Sequence, residues 1–308
     1  MITGDWHLTN KTPRNRIDDY PAEQFRKISW MIGECIQRDI KYILQPGDMF
    51  DSFNLPDELK SDYIQRWRSM FESNGIKILT VPGQHDMRYH TSDLRNTPMG
   101  VLEAAGAIEV AYPKGGAYHV RNDSVCVYGV GWGQKIPEKL NDLSSCNILL
   151  THRMVINKKL WEGQTDYQFG APLLENHPFD LIVTGDNHQH LFFVNTEGNH
   201  NRFLINCGSL MRSSIDQIDH EPYVYIYNTE SKDAKPIIVP VKPISEVMRV
   251  DEAQQEKERN EKLEAFVEGL RDESEIEGLD FIKNLDEYIS STELSQEIKD
   301  IIGEIING

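Results

Sequence analysis

Apolar residues recur along this chain with two spacings. Phe25, Ile28, Ile32 and Ile36 fall at helical intervals, and Leu59, Tyr63, Trp67 and Met70 repeat that pattern until Asn74-Gly75 stops it. Around them lie compact apolar runs of strand length: 42–44, 76–81, 147–150, 181–183 and 203–205. Residues 125–130 and 223–227 add strands rich in β-branched and aromatic side chains. Residues 228–235 read as a polar, hairpin-like turn, and 236–243 as one more strand, whose prolines place it at an edge. Helices alternating with short apolar strands predict an α/β architecture.

Near residue 245 the strand pattern gives way to charged, helical spacing. Leu263, Phe266, Val267 and Leu270 form one stripe, Leu279, Ile282 and Leu285 a second, and Leu294, Ile298, Ile301 and Ile305 a third. The expected division is a body at 1–245 and an acidic helical tail at 246–308. Such stripes need a surface to cover, which is the body itself, a second copy of the chain or another protein.

Chemistry is concentrated where the apolar runs end. Asp5 and His7 stand two apart, so in an extended segment both would point to one side. Gly47-Asp48-Met49-Phe50-Asp51 follows the 42–44 run, Gly83-Gln84-His85-Asp86 the 76–81 run, and Thr151-His152 the 147–150 run. Gly185-Asp186-Asn187-His188-Gln189-His190 closes the series. Parallel strands deliver their C-terminal ends to one rim, where ligands bind. Each motif alone is a common turn or a surface histidine. Five of the ten histidines, however, fall after strand-like runs. Carboxylates and imidazoles in such a mixture suit borderline divalent ions such as Mn, Fe or Zn.

Charge complicates the picture. The 308 residues carry a net −17, but residues 251–308 hold 18 acidic and 6 basic side chains, so the first 250 residues carry only −5. No Lys/Arg cluster of the kind that binds nucleic acid by counterion release is present, which favours a small-molecule substrate unless metal ions or a partner hold the phosphates. The length suits one α/β core plus an appendage. Four scattered cysteines, no apolar run long enough to span a membrane and no signal-like leader suggest a cytoplasmic protein. Only Met1 to Gly4 precede Asp5, little chain for a central first strand, so a start upstream of Met1 is expected.

Asp5-x-His7, Gly47-Asp48-x-x-Asp51, Gly83-Gln84-His85-Asp86, His152 and His188-x-His190 together resemble the signature series of the metallophosphoesterase superfamily. Gly4-Asp5-Trp6-His7-Leu8 and Asn206-Cys207-Gly208-Ser209-Leu210 resemble segments of SbcD-type DNA repair and phage recombination nucleases. The resemblance covers about residues 1–230. It implies a four-layer sandwich of two mixed sheets flanked by helices, and a two-metal phosphodiesterase acting on DNA ends with two divalent ions, expected to be Mn²⁺. One ion would be held by Asp5, His7 and His190, the other by His152, His188 and the Gln84 amide oxygen, with Asp48 bridging. His85 would face the scissile phosphate and Asp51 would orient it. Partners implied are DNA, an SbcC-type ABC ATPase bound through the tail, and a second copy in a homodimer. The sequence departs from the family at Gln84, where asparagine is usual, and at Asn187, where glycine would precede the first histidine of the last motif. A small-molecule phosphodiesterase and a scaffold without metals remain as alternatives.

Overall fold

A computed structural model of the chain describes residues 1–111, 118–120, 124–138, 140, 144–159, 163–198, 200–214 and 217–249. The chain divides into two compact units, Met1–Met248 and Arg249–Gly308. The tail stripes predicted at 263–305 lie outside the described residues.

In the first unit, helix α1 (Tyr20–Gln37) leads into β1 (Tyr42–Gln45), α2 (Asp57–Asn74) and β2 (Lys77–Thr80), followed by α3 (Pro98–Ala104) and β3 (Glu109–Val110). Strands β1, β2 and β3 pair in parallel. Next come β4 (Tyr118–Val120), β5 (Val125–Val130), β6 (Cys146–His152), the short pair β7 (Val155–Ile156) and β8 (Gln168–Phe169), and α4 (Gly170–Asn176). Strands β9 (Leu181–Gly185), β10 (Leu191–Asn195) and β11 (Arg202–Asn206) complete a six-stranded sheet ordered β10-β11-β9-β6-β5-β4. Its four central strands are parallel and its two edges antiparallel. The hairpin β12 (Tyr223–Asn228) and β13 (Asp233–Ile238) and a one-turn helix α5 (Ile244–Val247) end the unit. Ile2 links the hairpin to β1, bridging Leu44 in parallel and Tyr225 antiparallel.

Three buried clusters show the layering. Ile28, Met31, Tyr63, Trp67 and Ile78 pack α1 and α2 on the outer face of the first sheet. Leu44, Leu79, Val127, Ile148, Leu150, Val183 and Ile205 fill the space between the two sheets. Leu149, Ile182, Leu204 and Phe179 meet Leu173 and Leu174 of α4 on the far side. Strands β5, β6 and β9 of the larger sheet are buried on both faces, which explains their unbroken apolar runs in place of alternation. The result is the mixed α/β sandwich the sequence implies.

Some details differ from the sequence reading. Helix α1 buries Ile28, Met31 and Cys35, leaving Ile36 exposed, because its inward face also carries Gln24 and Lys27. Those polar groups support distant loops: the Gln24 amide donates to the carbonyls of Trp6 and His7, and Lys27 Nζ to that of Leu210. Helix α2 stops as predicted, with Gly75 as a left-handed cap at φ 66°. Strand β13 begins at Asp233, so the turn is shorter than expected; Pro236 fits because β13 is the outer strand of its hairpin. Among the described residues, no helix is long and apolar enough to cross a membrane.

Candidate metal centre

Both sheets send strand ends to one place. The first contribution is the ribbon that holds Asp5 and His7. It is not an extended strand, as the two-residue spacing suggested. Trp6 and His7 both donate their backbone N–H groups to the Asp48 carbonyl, at 3.2 and 3.0 Å, and His7 takes a left-handed φ of 45°. That turn, braced by Gln24, brings the two side chains together.

Asp48 follows β1, also left-handed at φ 47°. Its Oδ1 accepts the His85 N–H at 3.0 Å, and its Oδ2 lies 3.4 Å from His152 Nε2 and 3.8 Å from His7 Nε2. Gly83 is packed against it so closely that a Cβ there would sit 2.1 Å from Asp48 Oδ1, so no side chain fits at this position. The neighbouring Asp86 is fully buried. Its carboxylate accepts N–H bonds from Met49, Phe50 and Gly83 at 3.3, 3.1 and 3.0 Å, tying the loop after β1 to the loop after β2. Burial, followed by the nearby Asp48 charge, pushes Asp86 up to about 7.

His152 ends β6 with its ring buried. A carbonyl can only accept, so the 2.9 Å contact from His152 Nδ1 to the Pro46 carbonyl fixes a proton on Nδ1 and turns Nε2 toward Asp48. Metal-binding histidines use the same arrangement to hold their tautomer. Burial opposes charge on His152, but Asp48, Asp5 and Asp186 outweigh it and push it up to about 10. Burial likewise raises Asp5 well above its ordinary value and pulls His7 down to about 3. Burial also works against ionisation of Asp48, yet His152, His7 and His85 hold it below the usual carboxylate range. Positive charge is thus favoured at His152 and disfavoured at His7.

The last strand end changes the sequence assignment. Directly after β9, Asp186 adopts φ 75°, donates its N–H to Asp5 Oδ2 at 2.9 Å and accepts from Gln84 Nε2 at 3.0 Å; its Oδ1 is 3.9 Å from His152 Nε2. Two residues on, His188 Nε2 lies 3.0 Å from His7 Nε2 and 3.8 Å from Asp5 Oδ2. His190, expected in the first ligand set, is held elsewhere: its Nε2 bonds the Tyr225 hydroxyl at 2.7 Å and its ring lies over Tyr223 and Tyr225. His188 therefore sits with Asp5 and His7, in the place given to His190. Asp186 sits beside His152 and Gln84, in the place given to His188. The physical reason is the strand's length. Gly185 is its last residue, and the chain turns away from the rim after His188 to start β10. Asp186 is the residue the sequence reading missed, although its position immediately after Thr184-Gly185 was a signal for it.

The Asp51 side chain is also corrected as the orienting group. His85 Nδ1 donates to the backbone carbonyl of Asp51 at 2.9 Å, while the Asp51 carboxylate stands 3.9 Å from His7 Nδ1.

The donor atoms fall into compact sets: Asp5, His7 and His188; Asp5, Asp48 and His152; and His7, Asp51 and His85, each within 4.8 Å. Three buried atoms here, Asp5 Oδ1, Gln84 Oε1 and His152 Nε2, have no hydrogen-bond partner. Unpartnered buried polar atoms are costly, so such a group of acceptors fits a cation. His7 Nε2 and His188 Nε2, 3.0 Å apart and close to Asp5, would together offer two imidazole nitrogens to one such ion.

Residues 1–190 match the family model for calcineurin-like phosphoesterases. The chain belongs to the calcineurin-like phosphoesterase family. Members of this family hydrolyse phosphoesters with divalent metal ions, which accounts for the acidic and imidazole donors at the strand ends. Among solved structures, 82 chains match; one is the crystal structure of TT1561 of Thermus thermophilus, 14% identical, covering 78% of this chain and 98% of that one with a TM-score of 0.44. No curated protein sequence matches. As a calcineurin-like phosphoesterase, the chain is a metal-dependent hydrolase of phosphoester bonds.

Proposed function

We propose that this phosphoesterase is a DNA nuclease that hydrolyses phosphodiester bonds at strand ends, in the manner of an SbcD-type subunit. The observation that carries the hydrolytic reading is the convergence of Asp5, His7, Asp48, His152, Asp186 and His188 around buried atoms that lack partners. One ion would be held by Asp5, His7 and His188, the other by His152, Asp186 and the Gln84 amide oxygen, with Asp48 facing both. The mixed carboxylate, amide and imidazole set is compatible with Mn, Fe or Zn, and Mn²⁺ is the ion taken for the tests below. Bound ions would neutralise charge building on the phosphoryl oxygens and hold the reacting groups in line. The protein's own part is to fix these donors and to present His85. With its Nδ1 proton committed to the Asp51 carbonyl, His85 offers Nε2 to the leaving oxygen.

This assignment separates the two histidines of the last motif. Asp186→Ala is expected to bind one Mn²⁺ per chain in place of two, while His190→Ala keeps both, by elemental analysis after dialysis against the metal. An ion lost from His190→Ala but not from Asp186→Ala would restore the assignment read from the sequence.

DNA as substrate is supported by the two segments that resemble the SbcD type, because they meet at the centre. Asp5 donates its N–H to the Gly208 carbonyl at 3.1 Å, Leu210 donates to the Asp5 carbonyl at 2.8 Å, and Ser209 to that of His188 at 3.2 Å. In this reading residues 1–245 are catalytic, and 246–308 dock on the coiled coil of an SbcC-type ABC ATPase that supplies a basic DNA surface, with two such chains in the assembly. The acidic composition favours a second reading, a phosphodiesterase for small molecules.

A substrate panel in Mn²⁺ separates the two. Linear duplex, single strand and a chromogenic phosphodiester should all be cleaved, and chelator should stop each reaction. Truncation after Arg249 should spare the chromogenic substrate and weaken ATPase binding. Cleavage of the chromogenic diester alone, with or without the ATPase, would favour the small-molecule reading.

A further inference from the structure

The loops that carry Asp51 and His85 also hold a pair of exposed aromatic rings. Phe53 lies two residues after Asp51, whose carbonyl positions His85, and Tyr89 lies four residues after His85. Their ring centroids are 6.0 Å apart at an interplanar angle of 47°. Tyr89 is 74% exposed and Phe53 36%. Arg88 places its guanidinium 5.2 Å from the Tyr89 ring centroid.

The backbone is strained to hold this position. Tyr89 and His90 are consecutive non-glycine residues in the left-handed region, at φ 53° and 54°. Bulky residues rarely adopt such angles, and they persist where the surroundings enforce them. Here the enforcement is visible. The N–H and hydroxyl of Thr91 both donate to the Arg88 carbonyl, at 3.1 and 3.0 Å. The His90 ring lies 4.9 Å from that of Trp132, which is itself anchored by a bond from its N–H to the Pro82 carbonyl. On the near side, buried Met87 donates its N–H to the Gln84 carbonyl at 3.3 Å. A turn pinned at both ends thus points a large ring into solvent.

We propose that Phe53 and Tyr89 form a stacking site for an unpaired nucleobase of a single strand, next to the phosphate that His85 faces. Every base has a π-face, so such a platform holds a strand without reading its sequence, and a guanidinium beside the ring adds cation–π attraction. Stacking also resolves the charge problem. The first 250 residues, at net −5 and without a Lys/Arg cluster, gain little from counterion release, but stacking needs no basic surface. The site therefore engages single strands or frayed ends, and its contribution to affinity changes little with salt. The proposal rests on the nuclease reading.

The test compares kcat/KM for a single-stranded oligodeoxynucleotide and for the same sugar–phosphate chain without bases, in Mn²⁺, using the full chain. Wild type should prefer the base-bearing strand by roughly 5- to 100-fold, chiefly through KM. Tyr89→Ala and Phe53→Ala should each shrink that ratio toward one, while Tyr89→Trp preserves it. Wild type that cleaves both strands equally, or alanine variants that keep the full ratio, would overturn the stacking site and leave the nuclease reading intact. Wild type that hydrolyses a chromogenic diester but neither strand would overturn the nuclease reading, and the stacking site with it.

Discussion

Asp48→Asn is expected to reduce metal-dependent phosphodiester hydrolysis by about 10³-fold or more, at least the scale seen when one electrostatic group is removed from a transition state. Asparagine keeps the size of the side chain and tolerates the left-handed φ of 47° at this position, so the loop should survive. What it removes is the negative charge at Oδ2, which stands between His152 Nε2 at 3.4 Å and His7 Nε2 at 3.8 Å. A carboxylate so placed can balance two cations at once. Initial rates on a chromogenic diester in Mn²⁺, with a thermal melt to confirm folding, would measure the effect. A folded Asp48→Asn protein with near-normal turnover would end the two-ion reading.

His85→Ala should behave differently. His85 has a side chain 43% exposed, and its Nε2 is 3.9 Å from Asp48 Oδ2, with no buried ligand position of its own. Its Nδ1 is committed to a backbone carbonyl. Both facts suit a group that meets substrate better than one that holds an ion. The variant should keep both ions and lose turnover by a factor on the order of 10² to 10⁴, the range for a positioned acid or base. Metal content and rate measured on one preparation decide the matter. Loss of an ion together with activity would make His85 a ligand.

Much of this architecture could be read from the sequence because the larger sheet is covered on both faces. Its buried strands are runs of Val, Ile and Leu too short for helices, and each run ends in glycine or a polar residue that marks the rim. The same logic located Asp5, His7, Asp48, Gln84, His85 and His152, which the structure gathers into one place. The last motif was harder. Gly185-Asp186-Asn187-His188-Gln189-His190 contains two pairs of donors spaced two apart, and spacing alone cannot choose between them. Only the end of β9 at Gly185 decides for Asp186 and His188. The face of α1 was misjudged for a related reason. Hydrophobic spacing does not reveal that Gln24 and Lys27 turn inward to bond loop carbonyls from Trp6 to Leu210. Strand β10, with every second residue exposed, pairs at the sheet's edge and lacks the continuous apolar run that marked the others.

His7, Asp48 and Asp186 share a left-handed backbone, at φ 45°, 47° and 75°. Glycine would relax each of these positions, at the expense of a donor atom. A fold freed of its catalytic duty would lose the reason to keep a donor at each of these positions. The present side chains keep three donors at backbone angles that side chains rarely adopt, local strain of the kind functional sites carry. Sequence libraries selected first for melting temperature and then for turnover should separate at these positions, with the most stable members among the least active.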